Sequence, residues 1–339
     1  MNDQRVWRNP TIVEIARAAN VGTATVDRVL NGRDKVRDAT RAKVMDAVSK
    51  LTKGDAFAKS SDCPKVAFLS DSGISFNASL QEAVKRYGDV HSDMDVNFQG
   101  VHTADFEPSA FARTIEQAAE SADAIVVVAR EDLIVSRSLR AVSKKIPVVC
   151  MTTDLPNSGR ASYVGNDQIN AGSAAAHLMG RLIGEKVGKV LIVISAPYRV
   201  QEERELGFRR VLRAEFAHLE IDDRVNSNDD ADYSYQNLMQ YLEGPGAPLG
   251  IYNVAGGNLG IGRALDASGL AGKTVFIGHE LNVNSRNLLE TGLMDVVIGH
   301  DVDHEVALSL KCIEALWARQ PLPRSSTEIK IHTKFNCMW

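Results

Sequence analysis

Few residues in this sequence have the spacing that chemistry requires. His300-Asp-Val-Asp-His304 sets two histidines four apart, and on a helix that spacing lets two imidazoles grip one metal ion. His300, however, follows the apolar run Met294-Asp-Val-Val-Ile and reads as a strand end, where helical spacing does not apply. No second His/Cys cluster supports a metal, so none is expected. The four cysteines, Cys63, Cys150, Cys312 and Cys337, lie far apart and form no CxxC pair. Cys150, in Pro147-Val-Val-Cys-Met, reads as a small core residue of a protein in a reducing compartment. Gly184-Glu-Lys-Val-Gly-Lys-Val is one residue short of a phosphate-binding loop and lacks the Ser or Thr after its lysine. Gly257-Asn-Leu-Gly-Ile-Gly has the wrong spacing for a dinucleotide fingerprint. There is no GxSxG or HExxH, and scattered carboxylates alone are weak evidence for acid–base work. The chain is expected to bind rather than to catalyse, with no cofactor.

The elements that must position any binding residues fall into two patterns. Three short helices open the chain. Thr11-Ile-Val-Glu-Ile-Ala-Arg-Ala-Ala puts Ile12, Ile15, Ala16 and Ala19 on one face, with Thr11 and Glu14 spaced as a capping box. After a break at Asn20-Val-Gly, Thr23–Leu30 forms a second helix, stopped by Asn31-Gly32. A third runs from Asp38 to Leu51. From Lys65 onward, apolar runs such as Val66–Leu69, Ala124–Ala129, Val190–Ile194 and Leu249–Val254 alternate with amphipathic stretches such as Ala171–Ile183 and Gln201–Ala214. Unbroken apolar runs suit strands buried on both faces, and their alternation with helices predicts parallel sheets. The 339 residues are enough for two or three domains. No apolar run is long enough for a membrane span, and no secretory leader opens the sequence, so a cytoplasmic protein is expected.

Charge divides the same way. Residues 1–60 hold twelve Lys and Arg against seven Asp and Glu, a balance of +5, while the remainder of the chain balances at −9. A basic head on an acidic body points to a polyanion as the head's partner, although a solvated surface also yields +5. Two short helices about a tight turn suggest helix-turn-helix, with the second helix entering the major groove. A plain three-helix bundle has the same spacing.

The residues of the head go further. Thr11 through Gly32, continued by Val36-Arg-Asp-Ala-Thr-Arg-Ala-Lys-Val, closely resembles the head of the lactose/galactose-repressor family. The resemblance implies that Thr23 and Ala24 meet base edges and that Arg28 reads guanine, by the commonest specific contact of its kind. It implies phosphate contacts for Thr11, Thr25, Asn31 and Thr40, residues that also serve as caps. Gly22 and Asp27 depart from the family's serines, and Asp27 would repel a phosphate unless a base partners it. The linker lacks the family's Pro-Asn start and wedging leucine. Phe57 is its only bulky apolar residue, which leaves minor-groove kinking open.

Residues 64–335 resemble, more diffusely, the sugar-binding module shared by that family and the ribose-type periplasmic binding proteins. The resemblance implies a head over 1–52, a linker over 53–63 and a two-lobed body over 64–339. The first lobe is placed at about 64–162 and 293–322, the second at about 163–292 and 323–339. Each lobe is a doubly wound parallel sheet, with the ligand in the cleft at the carboxyl ends of the strands. Candidate ligand residues are Phe76 and Asn77 after the first strand, Thr153 and Asp154 after the fourth, and Asp167 at the lobe crossing. Arg204, Asn253, Glu280 and His300 complete the set, Arg204 as the family's sugar-clamping arginine. The bland readings are a surface charge for Arg204, turn residues for Asn253 and Asp154, and a structural histidine for His300. The resemblance implies a homodimeric repressor of palindromic operator DNA, controlled by a sugar or sugar derivative. A transport sugar-binding protein or an enzyme on the same fold is the alternative.

Overall fold

The computed structural model describes residues 12–30, 36–51, 63–244 and 246–337. In the head, α1 (Ile12–Ala19), α2 (Thr23–Leu30) and α3 (Asp38–Leu51) pack around Ile15, Ala16, Ala19, Val26, Val29, Val44 and Ala47. These are the inner faces that helical spacing selects. Ile12 is the exception: at the start of α1 it is 39% exposed.

The body begins with β1 (Lys65–Ser72), α4 (Ile74–Val90), β2 (Asp95–His102), α5 (Pro108–Ser121), β3 (Ala124–Val128), α6 (Leu133–Val142), β4 (Val148–Met151) and β5 (Ser162–Val164). These strands form a parallel sheet in the order β2-β1-β3-β4-β5. The chain then builds α7 (Gln168–Ile183), β6 (Gly188–Ile194), α8 (Arg199–Glu215), β7 (Leu219–Asn226), α9 (Ala231–Glu243), β8 (Gly250–Asn253), α10 (Asn258–Ala267), β9 (Val275–His279), α11 (Val283–Glu290) and β10 (Val296–Gly299). Helix α12 (Val302–Trp317) returns to the first sheet, and β11 (Lys330–His332) crosses back to pair antiparallel with β10. The second sheet runs β11-β10-β9-β8-β6-β7.

Each sheet is covered on both faces, and the period-2 alternation of strand side chains explains how. Val66, Phe68, Val126, Val128 and Met151 face α4 and α12, while Ala67, Leu69, Ile125, Val127 and Cys150 face α5 and α6. In the second lobe, Val190, Ile192 and Tyr252 pack against α7 and α8. Leu191, Val193 and Ile251 pack on the other face, toward α9 and α10. Cys150 sits in the core, and burial pushes its thiol up to about 12.

One expected boundary changes. Placing residues 293–322 in the first lobe put the strand near 296 there. Instead β10 is hydrogen-bonded between β9 and β11 of the second sheet, so the return to the first lobe comes at about residue 300. Two of the three crossovers, near residues 165 and 326, run side by side: Gly165 N donates to Ser325 O at 3.2 Å and Thr327 N to Gly165 O at 3.0 Å.

Candidate functional site

A cleft lies where the carboxyl ends of both sheets' strands face each other, the place where open α/β sheets bind their ligands. Phe76, Val128, Thr152 and Thr153 line it from the first lobe. Tyr198, Arg204, Asp229, Val254 and Glu280 line it from the second. Of the six non-glycine residues with left-handed backbone among those described, three line this cleft: Thr152 (φ 62°), Asp229 (φ 54°) and Glu280 (φ 70°). Such conformations cost about 1–3 kcal/mol each and cluster where function overrides backbone preference.

Arg204 is set by helix packing. A Cβ on Gly172 of α7 would lie 1.8 Å from the Arg204 carbonyl oxygen, and one on Gly207 of α8 2.0 Å from that of Ile169. Glycine at both positions lets the helices touch backbone to backbone and brings Arg204 under the cleft. Its side chain is 3% exposed. Nε donates to Gln168 Oε1 at 2.9 Å and Nη1 to the Val254 carbonyl at 3.0 Å. Among the described residues Nη2 is unengaged and no carboxylate lies within ion-pairing distance. Burial holds the guanidinium below its usual range, although arginine stays charged at any physiological pH. A buried charge needs compensating partners. Glu280, also on the cleft, has no side-chain hydrogen bond among the described residues. Burial raises its carboxyl above the usual range, against the pull of Arg204 and His300.

His300 lies behind this wall, stacked on Phe76 with ring centroids 6.1 Å apart. Its Nδ1 is 3.1 Å from Glu305 Oε1, an ion-pair contact when the ring is protonated, and Nε2 has no hydrogen-bond partner among the described residues. Burial disfavours its charge, but Glu305 outweighs that and holds the imidazole above its ordinary range. Glu305 is wholly buried and also accepts from Thr152 Oγ1 at 2.8 Å and Thr327 Oγ1 at 3.1 Å.

The structure therefore brings together Phe76, Thr153, Arg204 and Glu280 on the cleft, with His300 behind them. It does not bring the other candidates there. Asn77 points back into its own lobe, donating to the carbonyls of Ser72 and Val101. Asp154 pairs with Arg160. Asp167 is an exposed cap of α7, accepting from Asn170 N at 2.9 Å. Asn253 ties the Val254–Asn258 turn through Gly256 O, Asn258 Oδ1 and Ala255 N.

A second group, absent from the expected set, bridges the lobes beside the cleft, on the side termed its mouth here, through Tyr198 and Asp229 of the lining. Asp71 ends β1 and is fully buried. It receives Arg130 Nε at 2.6 Å and Nη2 at 2.8 Å. From the other lobe, Tyr198 Oη donates to Asp71 at 2.9 Å and accepts from Arg130 Nη2 at 3.2 Å. Thr103 Oγ1 donates to Asp229 Oδ2 at 2.8 Å, and Asp229 Oδ1 accepts from Gly256 N at 2.7 Å. Their sequence signal is position: Asp71, Thr103 and Arg130 each end or follow a strand of the first sheet, and Asp229 follows β7.

In the head, Thr23, Ala24 and Arg28 are exposed on α2, and Thr25 and Thr40 are half-buried. Thr11, Asn31 and linker residues 53–62, including Phe57, lie outside the described residues.

Residues 66–320 match the periplasmic binding protein domain family, and residues 11–52 the lacI family of bacterial regulatory proteins. The chain is 46% identical over 43 residues to Catabolite control protein A of Priestia megaterium. It is 47% identical over 51 residues to the HTH-type transcriptional regulator pepR1 of Lactobacillus delbrueckii subsp. lactis. These stretches cover 13% and 15% of this chain and 13% and 14% of the two regulators, so the match spans about a seventh of their length. An ABC transporter solute-binding protein from Burkholderia graminis, solved with D-arabinose, superposes with a TM-score of 0.74. It is 19% identical over 82% of this chain and 97% of that one. GanP, a glucose-galactose binding protein from Geobacillus stearothermophilus, gives 0.73 at 19% identity over 81% and 99%. At such identities the likeness establishes the fold alone.

Proposed function

This chain belongs to the periplasmic binding protein domain family and carries a lacI-family head, and from that premise we propose that it is a sugar-responsive transcriptional regulator. The observation that carries the reading is the buried Arg204, with one guanidinium nitrogen unengaged, across a two-lobed cleft from Phe76 and beside Glu280. A polyhydroxylated ligand supplies what these groups lack. Its oxygens accept from Arg204, a hydroxyl donates to Glu280, and its CH face lies on the Phe76 ring. Arginine-reading heads on a two-fold body fit a palindromic operator, so the active form is a homodimer. Effector binding changes the angle between the lobes and hence the operator affinity, and by linkage operator changes effector affinity by the same factor. Repression relieved by an inducer is the mode proposed, with no chemistry done on the sugar.

The test is a thermal-shift screen of the whole chain against pentoses, hexoses, sugar acids and polyols, followed by operator release with any hit. A ligand at 100 times its dissociation constant stabilises by about 2.7 kcal/mol, which such a screen resolves. A sugar that shifts melting and alters operator affinity supports the reading. A sugar that shifts melting in a protein unable to hold any operator supports a binding protein without a regulatory role.

A further inference from the structure

The mouth of the cleft bridges the lobes with bonds between protein groups. Tyr198 Oη, from the second lobe, sits on the Asp71–Arg130 ion pair of the first, and Thr103 of the first lobe donates to Asp229 of the second. Tyr198 Oη also lies 3.0 Å from Thr103 Oγ1, so the two bridges adjoin. Backbone contacts reinforce them: Glu131 N donates to Pro197 O at 3.2 Å, and Val200 N to Thr153 Oγ1 at 3.3 Å. The pieces are held in place within each lobe. The Arg130 guanidinium lies 3.8 Å from the Phe106 ring centroid, and Asp229 is fixed by Gly256 N. At the closest approach, a Cβ on Gly73 would stand 2.6 Å from Asp229 Cβ. Only glycine allows the lobes to meet there.

We infer that Asp71, Arg130 and Tyr198, with Thr103 and Asp229, form an interlobe latch that favours the closed cleft through bonds between protein groups. The physics makes this a balanced device. Separating the lobes exposes Asp71 and Arg130 to water, and their hydration offsets much of what the bridging bonds contribute. The latch is therefore strong enough to favour closure and weak enough to open. It also sets effector affinity, since apparent affinity scales with the fraction of molecules in the binding-competent arrangement. Tyr198 does two jobs in this scheme: its ring walls the cleft and its hydroxyl closes it. The inference concerns the body alone and stands whether or not the head binds an operator.

The test measures lobe separation in the full chain by pulsed electron resonance. Spin labels go on Leu133→Cys in the first lobe and Tyr233→Cys in the second, both exposed positions, with the exposed Cys63 changed to serine. No sugar is added. The parent should show mainly the short separation of the structure. Tyr198→Phe keeps the wall and removes the hydroxyl. It should lower the closed-to-open ratio about tenfold, as expected for losing a hydrogen bond to a charged pair. Tyr198→Phe with Thr103→Val should move most molecules to the long separation, and Gly73→Ala should do the same by wedging without removing any bond. A parent already at the long separation overturns the latch. So does a short separation that persists in both Tyr198→Phe variants. Because Tyr198→Phe is conservative, a failure of Gly73→Ala to fold leaves the decision with the tyrosine variants.

Discussion

The mouth and the floor of the cleft are built from the same kinds of residue and finished differently. At the mouth, Asp71, Arg130, Thr103, Tyr198 and Asp229 satisfy one another across the lobes. At the floor, Arg204 keeps a nitrogen unengaged, Glu280 has no side-chain hydrogen bond among the described residues, and His300 Nε2 is buried without one. Polar groups that pair with each other set shape. Polar groups left over, at the cost of burial, set what the cleft accepts. On the readings proposed above, closing and recognising fall to different residues, and the two should be alterable separately.

The sharpest way to break the contrast is Arg204→Ala. The sugar giving the largest thermal shift should bind about 100-fold more weakly, because a charge-assisted set of bonds is lost, while the spin-label separation stays as in the parent. A change in separation of the size caused by Tyr198→Phe would erase the distinction. Arg28→Ala, in the head, is the control for both ends. It should cost about 1–3 kcal/mol of operator discrimination in fluorescence anisotropy and leave the sugar titration as it was. Tyr198→Phe should weaken that sugar by about tenfold or less without changing its rank against its epimers, since the floor chooses among them. A reordering of epimers would assign recognition to the mouth as well.

The smallest effect is a pH dependence. His300 is held above its ordinary value of 6.5 by Glu305. A histidine whose folded pKa is raised adds stability fully below its unfolded pKa and loses it as pH rises through the folded one. Urea midpoints of the parent and His300→Gln should therefore differ most below about pH 6.5 and converge above it. A gap that widens with rising pH would mean that His300 is held neutral.

The sequence made the fold legible where it repeats a strong pattern. Val66–Leu69, Ala124–Ala129 and Val190–Ile194 are short, β-branched apolar runs that suit strands covered on both faces, and the structure uses them as such. The edge strands β2 and β7 were harder to see. Asp95–His102 alternates between half-buried and exposed residues, and Leu219-Glu-Ile-Asp-Asp-Arg-Val-Asn is largely polar. The place of β10 in the second sheet is not legible, because an apolar run does not say which sheet it joins. Of the candidate site, Arg204 and Glu280 line the cleft, a placement expected from family resemblance and not from their own spacing. Asn77 was placed by likeness to an aromatic pair, but an amide at a helix start can reach two carbonyls of its own lobe, and it does. The mouth was illegible because Asp71 and Tyr198 are 127 residues apart, and pairing across lobes leaves no local trace.

The joint between the lobes carries a last consequence. The crossovers near residues 165 and 326 are hydrogen-bonded together as a short ribbon, and Glu305 fastens Thr327 of that ribbon to His300 on the remaining crossover. Three separate threads would let one lobe roll, slide and tilt over the other. Threads sewn to one another leave one lobe fewer ways to move over the other than three loose ones would. On the function proposed above, that narrows what the body can report to its head. Two effectors that shut it equally far would then be the same message, however differently the floor holds them.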